Sequence, residues 1–289
     1  MVLRHLFTHW LRSTASQQVR EKVVEAAQEK LSEQAEAVSS DEPLPCDIGV
    51  VFALAEEAGG LEDKLEGMLT VRGHEIVVRY GAIKGRRVAI VRSGAGRTAA
   101  AAATEALIDG HQPQWIIAAG FAGGLAPELS RGDVLLVDHL VDRAGNQMSI
   151  DLKVDPAALD EQPGVHLGRL LTVDKVVRLP DEKRALGREH DALAVDMETF
   201  AVAEVCRRRK VRLMAARAIS DTVDDELPAD VEHLLTQKTT AARLGAAAGA
   251  VFRRPSSAKD MLKLKENALL ASDKLAKFLV GMIEQLSSP

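Results

Sequence analysis

Four carboxylates stand where acid–base chemistry is easiest to build, at the C-terminal ends of apolar runs. Asp196 and Glu198 follow Ala192 to Val195, Asp221 follows Val211 to Ala218, and Glu57 follows the run from Asp47 to Leu54. In open α/β sheets that edge is where ligands bind. A carboxylate held there can grip sugar hydroxyls, activate a water or carry a proton to a leaving group. The plainer reading is helix capping. Acids suit the first turn of a helix because its amide N–H groups are unpaired and the dipole is positive there. Glu56, Glu57, Glu198 and Asp221, each taken alone, read that way. Acids at two successive strand ends favour a site.

The elements that would position them follow from periodicity. Ala192 to Val195 reads as a short buried strand. Phe200, Ala203, Val205 and Cys206 then recur at helical spacing, with Arg207, Arg208, Arg209 and Lys210 in the last turn. Val211 to Ala218 is the next strand. This strand-helix-strand unit is expected to make neighbours of Asp196, Glu198 and Asp221, with Met197 and Ser220 beside them. Upstream, Glu75 to Tyr80 and Arg86 to Arg92 read as paired strands joined by a turn from Gly81 to Gly85. Ser93-Gly-Ala-Gly96 breaks the second of them, and the Ala-rich Thr98 to Ile108 follows as a helix. A glycine turn at a helix N-terminus aims backbone N–H groups at an anion or at sugar oxygens.

Trp115 to Ala119, Val134 to Val137 and His166 to Val173 read as further strands, with Gly120 to Gly124 as a loop. Pro180 to Glu189 is a helix with proline in its first turn. Val231 to Val251 and Ala258 to Leu286 are helices. The aperiodic Asn146 to Pro163 reads as a loop at the substrate entrance, and Asp224-Asp-Glu226 as a mobile lid. His111 and His139 read as structural or surface residues.

The chain has 289 residues, 46% hydrophobic and 27% charged, which suits one large α/β domain with appendages. A net charge of −5 argues against a nucleic-acid partner. Cys46 and Cys206 lack metal-ligand spacing and form no disulfide framework, so a reducing cytoplasm fits. No metal or cofactor is expected. No apolar stretch is long enough to span a bilayer. Residues 1–45 form an appendage. Leu3, Leu6, Phe7, Trp10 and Leu11 make an amphipathic stripe that reads either as a docking helix or as a peripheral membrane contact through residues 1–12. A linker, Ser39 to Pro45, leads to a domain over 46–289.

Several blocks, in order, carry a family resemblance. Val195-Asp-Met-Glu198, Arg217-Ala-Ile-Ser-Asp221, Ser93-Gly-Ala-Gly96-Arg97 and Ala119-Gly-Phe-Ala-Gly-Gly-Leu125 with Arg131-Gly-Asp-Val134 resemble the nucleoside phosphorylase / methylthioadenosine-S-adenosylhomocysteine nucleosidase superfamily. Leu171 to Pro180 and Arg253 to Glu266 are similar to the hopanoid-associated phosphorylase-like branch. The resemblance implies a central mixed, partly closed sheet flanked by helices, a homo-oligomer, and cleavage of a purine N-glycosidic bond.

The resemblance also implies roles. Glu57 matches the glutamate that activates water, and Asp221 the acid at purine N7, with Ser220 beside it. Glu198 matches the ribose-binding glutamate and Met197 the methionine packed on the ribose, with Asp196 in the same triplet. Ser93, Gly94 and Ala95 lie by ribose and base. Phe121, Ala122 and Gly123 fall in the loop by the substrate, and Val176 where relatives place an aromatic against the base. A proton held on Asp221 near neutral pH calls for burial and like charge around it. Aligned on Gly120, the arginine and serine that bind phosphate in phosphorylases fall at Ala118 and Phe121, so hydrolysis is expected over phosphorolysis. Arg97 is the residue left for a phosphate contact. A non-catalytic nucleoside-binding module is the alternative of another class, and retention of Glu57, Glu198 and Asp221 argues against it.

Overall fold

The computed structural model describes residues 44–73, 76–152, 162–228 and 257–286. Its hub is β5 (Trp115–Gly124), which pairs with three strands. On one side lies β1 (Ile48–Phe52), then β4 (Arg86–Arg92), β3 (Ile76–Ile83) and β2 (Glu66–Gly73). On the other side the sheet runs from β5 through β10 (Arg212–Asp221), β6 (Val134–Asp142), β8 (Val165–Thr172) and β9 (Ala194–Asp196) back to β5. The pairing of β10 with β5 closes that half into a ring. A short β7 (Gln147–Ser149) adds to β6. The mixed, closed sheet with flanking helices is the architecture expected from the sequence.

Continuous apolar runs build the hub because its strands are covered on both faces. All of β1 is buried, with Val50 opposite Ile90 of β4 and Ile117 of β5. One face carries α2 (Arg97–His111) and α4 (Thr199–Arg209), packed through Ala100, Ala103, Leu107, Phe200 and Val202. The other carries α1 (Ala55–Glu62) and the long α5 (Ser257–Gln285). Ala271, Leu275, Leu279 and Ile283, four apart, put one fully buried stripe of α5 on the sheet. Gly60 lets α5 approach α1: a Cβ there would sit 3.0 Å from the Ser272 carbonyl oxygen. α3 (Pro180–His190) covers a smaller cluster of Leu171, Val173, Val177 and Leu186.

Several expectations are corrected. β9 and β10 do not pair: β5 lies between them, antiparallel to β9 and parallel to β10. Gly120 to Gly124 is the continuation of β5, not a loop. β3 continues to Ile83, so the hairpin turn is Lys84-Gly85, both with positive φ. β6 runs on to Asp142 rather than ending at Val137. Residues 147–152 and 162–165 line a groove with Trp115, Arg212 and α5, and residues 153–161 of the expected entrance loop lie outside the described residues. Cys46 and Cys206 are free and buried, as the sequence implies for Cys206, and burial pushes both thiols up to about 12. His111 is structural: its Nδ1 lies 2.8 Å from the Leu44 carbonyl oxygen and its ring stacks on Tyr80. The amphipathic stripe of residues 1–12, all but the end of the linker, and the helix expected over 231–251 lie outside the described residues. Among the described residues no helix is long and apolar enough to cross a membrane.

Candidate active site

Glu57 sits in the first turn of α1, just after the end of β1. Its Oε2 accepts the N–H groups of Leu54 (2.8 Å) and Ala53 (2.9 Å), which caps the helix. Its Oε1 reaches across to accept the Phe121 N–H of β5 at 2.8 Å. Gly120 makes that approach feasible: a Cβ there would lie 2.8 Å from Glu57 Oε1 and 2.2 Å from Arg217 Nη1. A carboxylate, a guanidinium and a main chain therefore converge where only glycine fits. The Phe121 ring is half-buried and packs on the core face shared with α1 and α5, so Phe121 serves Glu57 through its backbone.

Arg217, on β10, is the cation at the centre of this cluster, with 2% of its surface exposed. Its Nη2 lies 2.8 Å from Asp196 Oδ2, and its Nε donates to Thr199 Oγ1 at 3.0 Å. Asp196 is consumed by this framework. Its Oδ1 accepts the Thr172 hydroxyl at 2.7 Å, and its Oδ2 accepts the Thr199 N–H at 2.9 Å and the Thr199 hydroxyl. Both oxygens are taken, so Asp196 caps α4 and pairs Arg217. Glu198 is the N-terminal flanking residue of α4 but makes no side-chain cap. It turns instead toward the glycine turn, where its Oε1 accepts the Gly96 N–H at 2.7 Å.

That turn is stitched to β1 by the Ser93 N–H on the Phe52 carbonyl (2.8 Å) and the Gly94 N–H on the Ala53 carbonyl (3.0 Å). Positive φ at Gly94 (86°) and Gly96 (97°) shapes it, with Ala95 half-buried between them. Burial raises the Glu57 carboxyl, opposed first by Arg217 and then by its three N–H donors. Burial, then repulsion from Asp196, raises Glu198 to about 7, against the offset from Arg217. Glu57 adds a smaller upward push on Glu198.

Asp221 lies one strand away. Gly123 pairs with Asp221 on one side and with Val195 on the other, which places the ends of β9 and β10 around a residue without a side chain. A Cβ on Gly123 would come within 3.2 Å of Asp221 Oδ2. Ser220 Oγ donates to Asp221 Oδ1 at 2.6 Å, with the buried Ala122 lending its carbonyl oxygen at 3.3 Å. The expected like charge is not what Asp221 meets. Its Oδ2 accepts a 2.5 Å bond from the ammonium of Lys183, on α3. Asp221 also caps no helix. Met197 and Val176 are both half-buried, Met197 between Asp196 and Glu198 and Val176 on the segment leading from β8 to α3.

The acidic segment after β10 makes several polar contacts over residues 222–228. Asp225 accepts the N–H and hydroxyl of Thr222, at 2.7 and 2.8 Å, and pairs with Arg131. Arg178 donates to the Leu227 carbonyl at 2.9 Å, and Arg184 pairs with Asp224. Arg97 is engaged as well, within 3.8 to 3.9 Å of Asp142, Asp174 and Glu204. Ala118 is wholly buried in the sheet, so no side chain from that position reaches the site. Among the described residues no cluster of three or more His, Cys, Asp or Glu could hold a metal ion.

Residues 47–254 match the family model described as "Phosphorylase superfamily". The chain belongs to this superfamily. It is 29% identical over 209 residues to a 5'-methylthioadenosine/S-adenosylhomocysteine nucleosidase of Staphylococcus haemolyticus, a match covering 65% of this chain and 92% of that protein. It is also 29% identical over 214 residues to the enzyme of the same name from Tolumonas auensis, covering 65% and 91% of the two chains. Among solved structures, the nucleosidase of that name from Neisseria meningitidis, in complex with methylthio-immucillin-A, superposes with a TM-score of 0.64. It is 20% identical and covers 83% of this chain and 99% of that one. Futalosine hydrolase of Helicobacter pylori superposes with a TM-score of 0.63 at 20% identity, covering 83% and 97%.

The superfamily fold thus brings Glu57, Glu198 and Arg217 together, with Asp221 across Gly123. Sequence reasoning missed two partners. Arg217 was visible inside the Arg217 to Asp221 block, where an arginine flanked by Ala215, Ala216, Ala218 and Ile219 within an apolar strand calls for a buried anion. Lys183 carried no such signal, because its surroundings, Pro180-Asp-Glu-Lys-Arg, read as the exposed start of a polar helix.

Proposed function

We propose that the protein hydrolyses the N-glycosidic bond of an adenosine-type nucleoside. The observation that carries the reading is the placement of Glu57 and Glu198 around one buried arginine, with a third carboxylate, Asp221, across a bare glycine. The names of the relatives, nucleosidases and a futalosine hydrolase, support the same chemistry. Bond cleavage develops positive charge on the ribosyl ring and negative charge on the purine. Glu198 accepts the 2′- and 3′-hydroxyls and stabilises the ring charge. The glycine turn Ser93-Gly94-Ala95 and Met197 flank the ribose. Glu57, aimed by three backbone N–H groups, takes a proton from the attacking water. Asp221, oriented by Ser220, delivers a proton to N7, with Phe121, Ala122, Gly123 and Val176 around the base and water.

Phosphorolysis is the second reading, and the state of the cations disfavours it. Arg217 is committed to Asp196 and Thr199, and Arg97 stands 3.8 to 3.9 Å from three carboxylates. Ala118 and Phe121 offer no donor side chain for phosphate. A homo-oligomer, as the resemblance implies, in a cytoplasmic setting, as the cysteine usage suggests, belongs to the same reading. The test is adenine release from a panel of 5′-substituted adenosines by the wild type and by Asp221→Asn. Wild-type release with a loss of about 10²–10⁴-fold in kcat for the variant supports the reading. No release from any member, with an unreactive analogue still bound, would favour a binding module.

A further inference from the structure

Lys183 is a fully buried cation that the mechanism above leaves unused. It has no exposed surface, and its Nζ donates to Asp221 Oδ2 at 2.5 Å, to the Thr222 carbonyl at 2.8 Å and to the Asp225 carbonyl at 2.9 Å. An ammonium has three N–H donors, and each has one acceptor here. Burying an ion costs several kcal/mol after relaxation. Tying the turn after β10 calls for donors but not for a charge, and a neutral amide would serve the two carbonyls. The third bond is different, because it ends on the carboxylate that faces the leaving group.

We propose that Lys183 acts through Asp221 as its positioning and proton-supplying partner, so that the proton reaching the purine comes from the buried ammonium. This rests on the reading of Asp221 given above. In the step, the C1′–N9 bond breaks and its electron pair passes to the purine. Asp221, a carboxylate paired with the ammonium, takes a proton from Nζ through Oδ2 and passes it to N7, so Asp221 ends as the carboxylate it began as and Lys183 as a neutral amine. Water adds to C1′ and gives its proton to Glu57, which releases it to solvent, and solvent returns one to Lys183. One water is consumed, and a neutral purine and a free sugar are produced.

The charged groups facing the pair are accounted for. Asp225 lies beside Nζ but is held by Thr222 and Arg131, Arg184 on α3 is held by Asp224, and Asp196 beyond Gly123 is held by Arg217. No second cation competes for Asp221 in these contacts. Lysine is also suited to the task in a way arginine is not. Its ammonium can give up a proton in a buried site, whereas a guanidinium stays charged.

The test compares wild type, Lys183→Met, Lys183→Arg and Asp221→Asn in the full chain. Each is given an adenosine-type nucleoside, whose base needs protonation, and a nitrophenyl riboside, whose leaving group does not. Lys183→Met should lower kcat on the nucleoside by roughly 10²-fold and displace the acid-dependent limb of the pH profile, with little change on the nitrophenyl riboside. Lys183→Arg keeps the charge and the ion pair, and should fold but fail to restore nucleoside turnover. It therefore decides the matter even if the methionine variant does not fold. The proposal is overturned if Lys183→Arg turns over the nucleoside like wild type, since charge alone would then suffice. It is overturned equally if either lysine variant slows both substrates by the same factor, since Lys183 would then only tie down the turn. An Asp221→Asn variant with undiminished nucleoside cleavage would instead sink the underlying assignment of Asp221.

Discussion

Arg217→Met removes the one cation shared by Asp196, Glu57 and Glu198. The lost contacts are specific: an ion pair at 2.8 Å between side chains 2% and 1% exposed, and the bond to Thr199 Oγ1 at 3.0 Å. Removing one partner of a buried pair costs about 3–5 kcal/mol, because the other charge is left uncompensated. Natural domains hold about 5–15 kcal/mol in total, so the variant should fold with much of its margin gone. In a chain of this size each kcal/mol moves Tm by about 2–4 °C, so the expected fall is roughly 6–20 °C. The deficit should also depend on pH. Arg217 holds down carboxyls that burial has raised, Glu57 and Glu198. Without it both rise further. A carboxyl raised in the folded state costs nothing extra below its unfolded value, about 4.3, and costs progressively more as pH climbs to its folded value. Urea unfolding at pH 5 and pH 8 should therefore show a smaller deficit at pH 5. A deficit under about 1 kcal/mol, or one as large at pH 5 as at pH 8, would refute the view of Arg217 as the counter-ion of the cluster.

Further outcomes follow from the same geometry. Glu57→Gln should lower kcat by roughly 10²-fold or more with analogue binding largely kept, since Gln can occupy the same space but cannot take a proton from water; unchanged turnover would remove Glu57 from the chemistry. Glu198 is raised to about 7 by burial and by Asp196. Affinity for an unreactive nucleoside analogue should therefore climb as pH passes about 7 and the carboxylate becomes a full acceptor for the hydroxyls. Titration calorimetry of Glu198→Gln should show that climb abolished, and a climb of the same size in the variant would assign it elsewhere. Deleting residues 1–40 should leave a soluble, active domain, and loss of all soluble protein would place that segment in the core or in a subunit interface.

The carboxylates of the candidate site were legible because they are concentrated at strand ends. Glu57, Glu198 and Asp221 each follow an apolar run, and that pattern survives without coordinates. The strand order was not legible. A strand-helix-strand unit usually makes parallel neighbours, but here β5 intervenes between β9 and β10, and only its pairing partners reveal that. The run Gly120 to Gly124 was read as a loop because glycines usually punctuate chains. In the fold, Gly120 and Gly123 are bare so that Glu57, Arg217 and Asp221 can close on a strand. Asp196 and Glu198 share a motif but part in the fold. β9 ends at Asp196, whose oxygens bond Thr172 and Thr199 and pair with Arg217, while Glu198 lies beyond it at the start of α4. Lys183 lies 38 residues from Asp221 on a helix of polar character. No local pattern predicts that its one lysine points into the protein.

The central claim is that water, not phosphate, attacks the anomeric carbon. The most direct measurement is product identity in phosphate-free buffer with an adenosine-type nucleoside: free ribose (or its 5′-substituted form) against the 1-phosphate, resolved by mass spectrometry alongside adenine release. The account predicts adenine and free sugar at a rate that added phosphate leaves unchanged. An absolute requirement for phosphate, with the sugar recovered as its 1-phosphate, would contradict it.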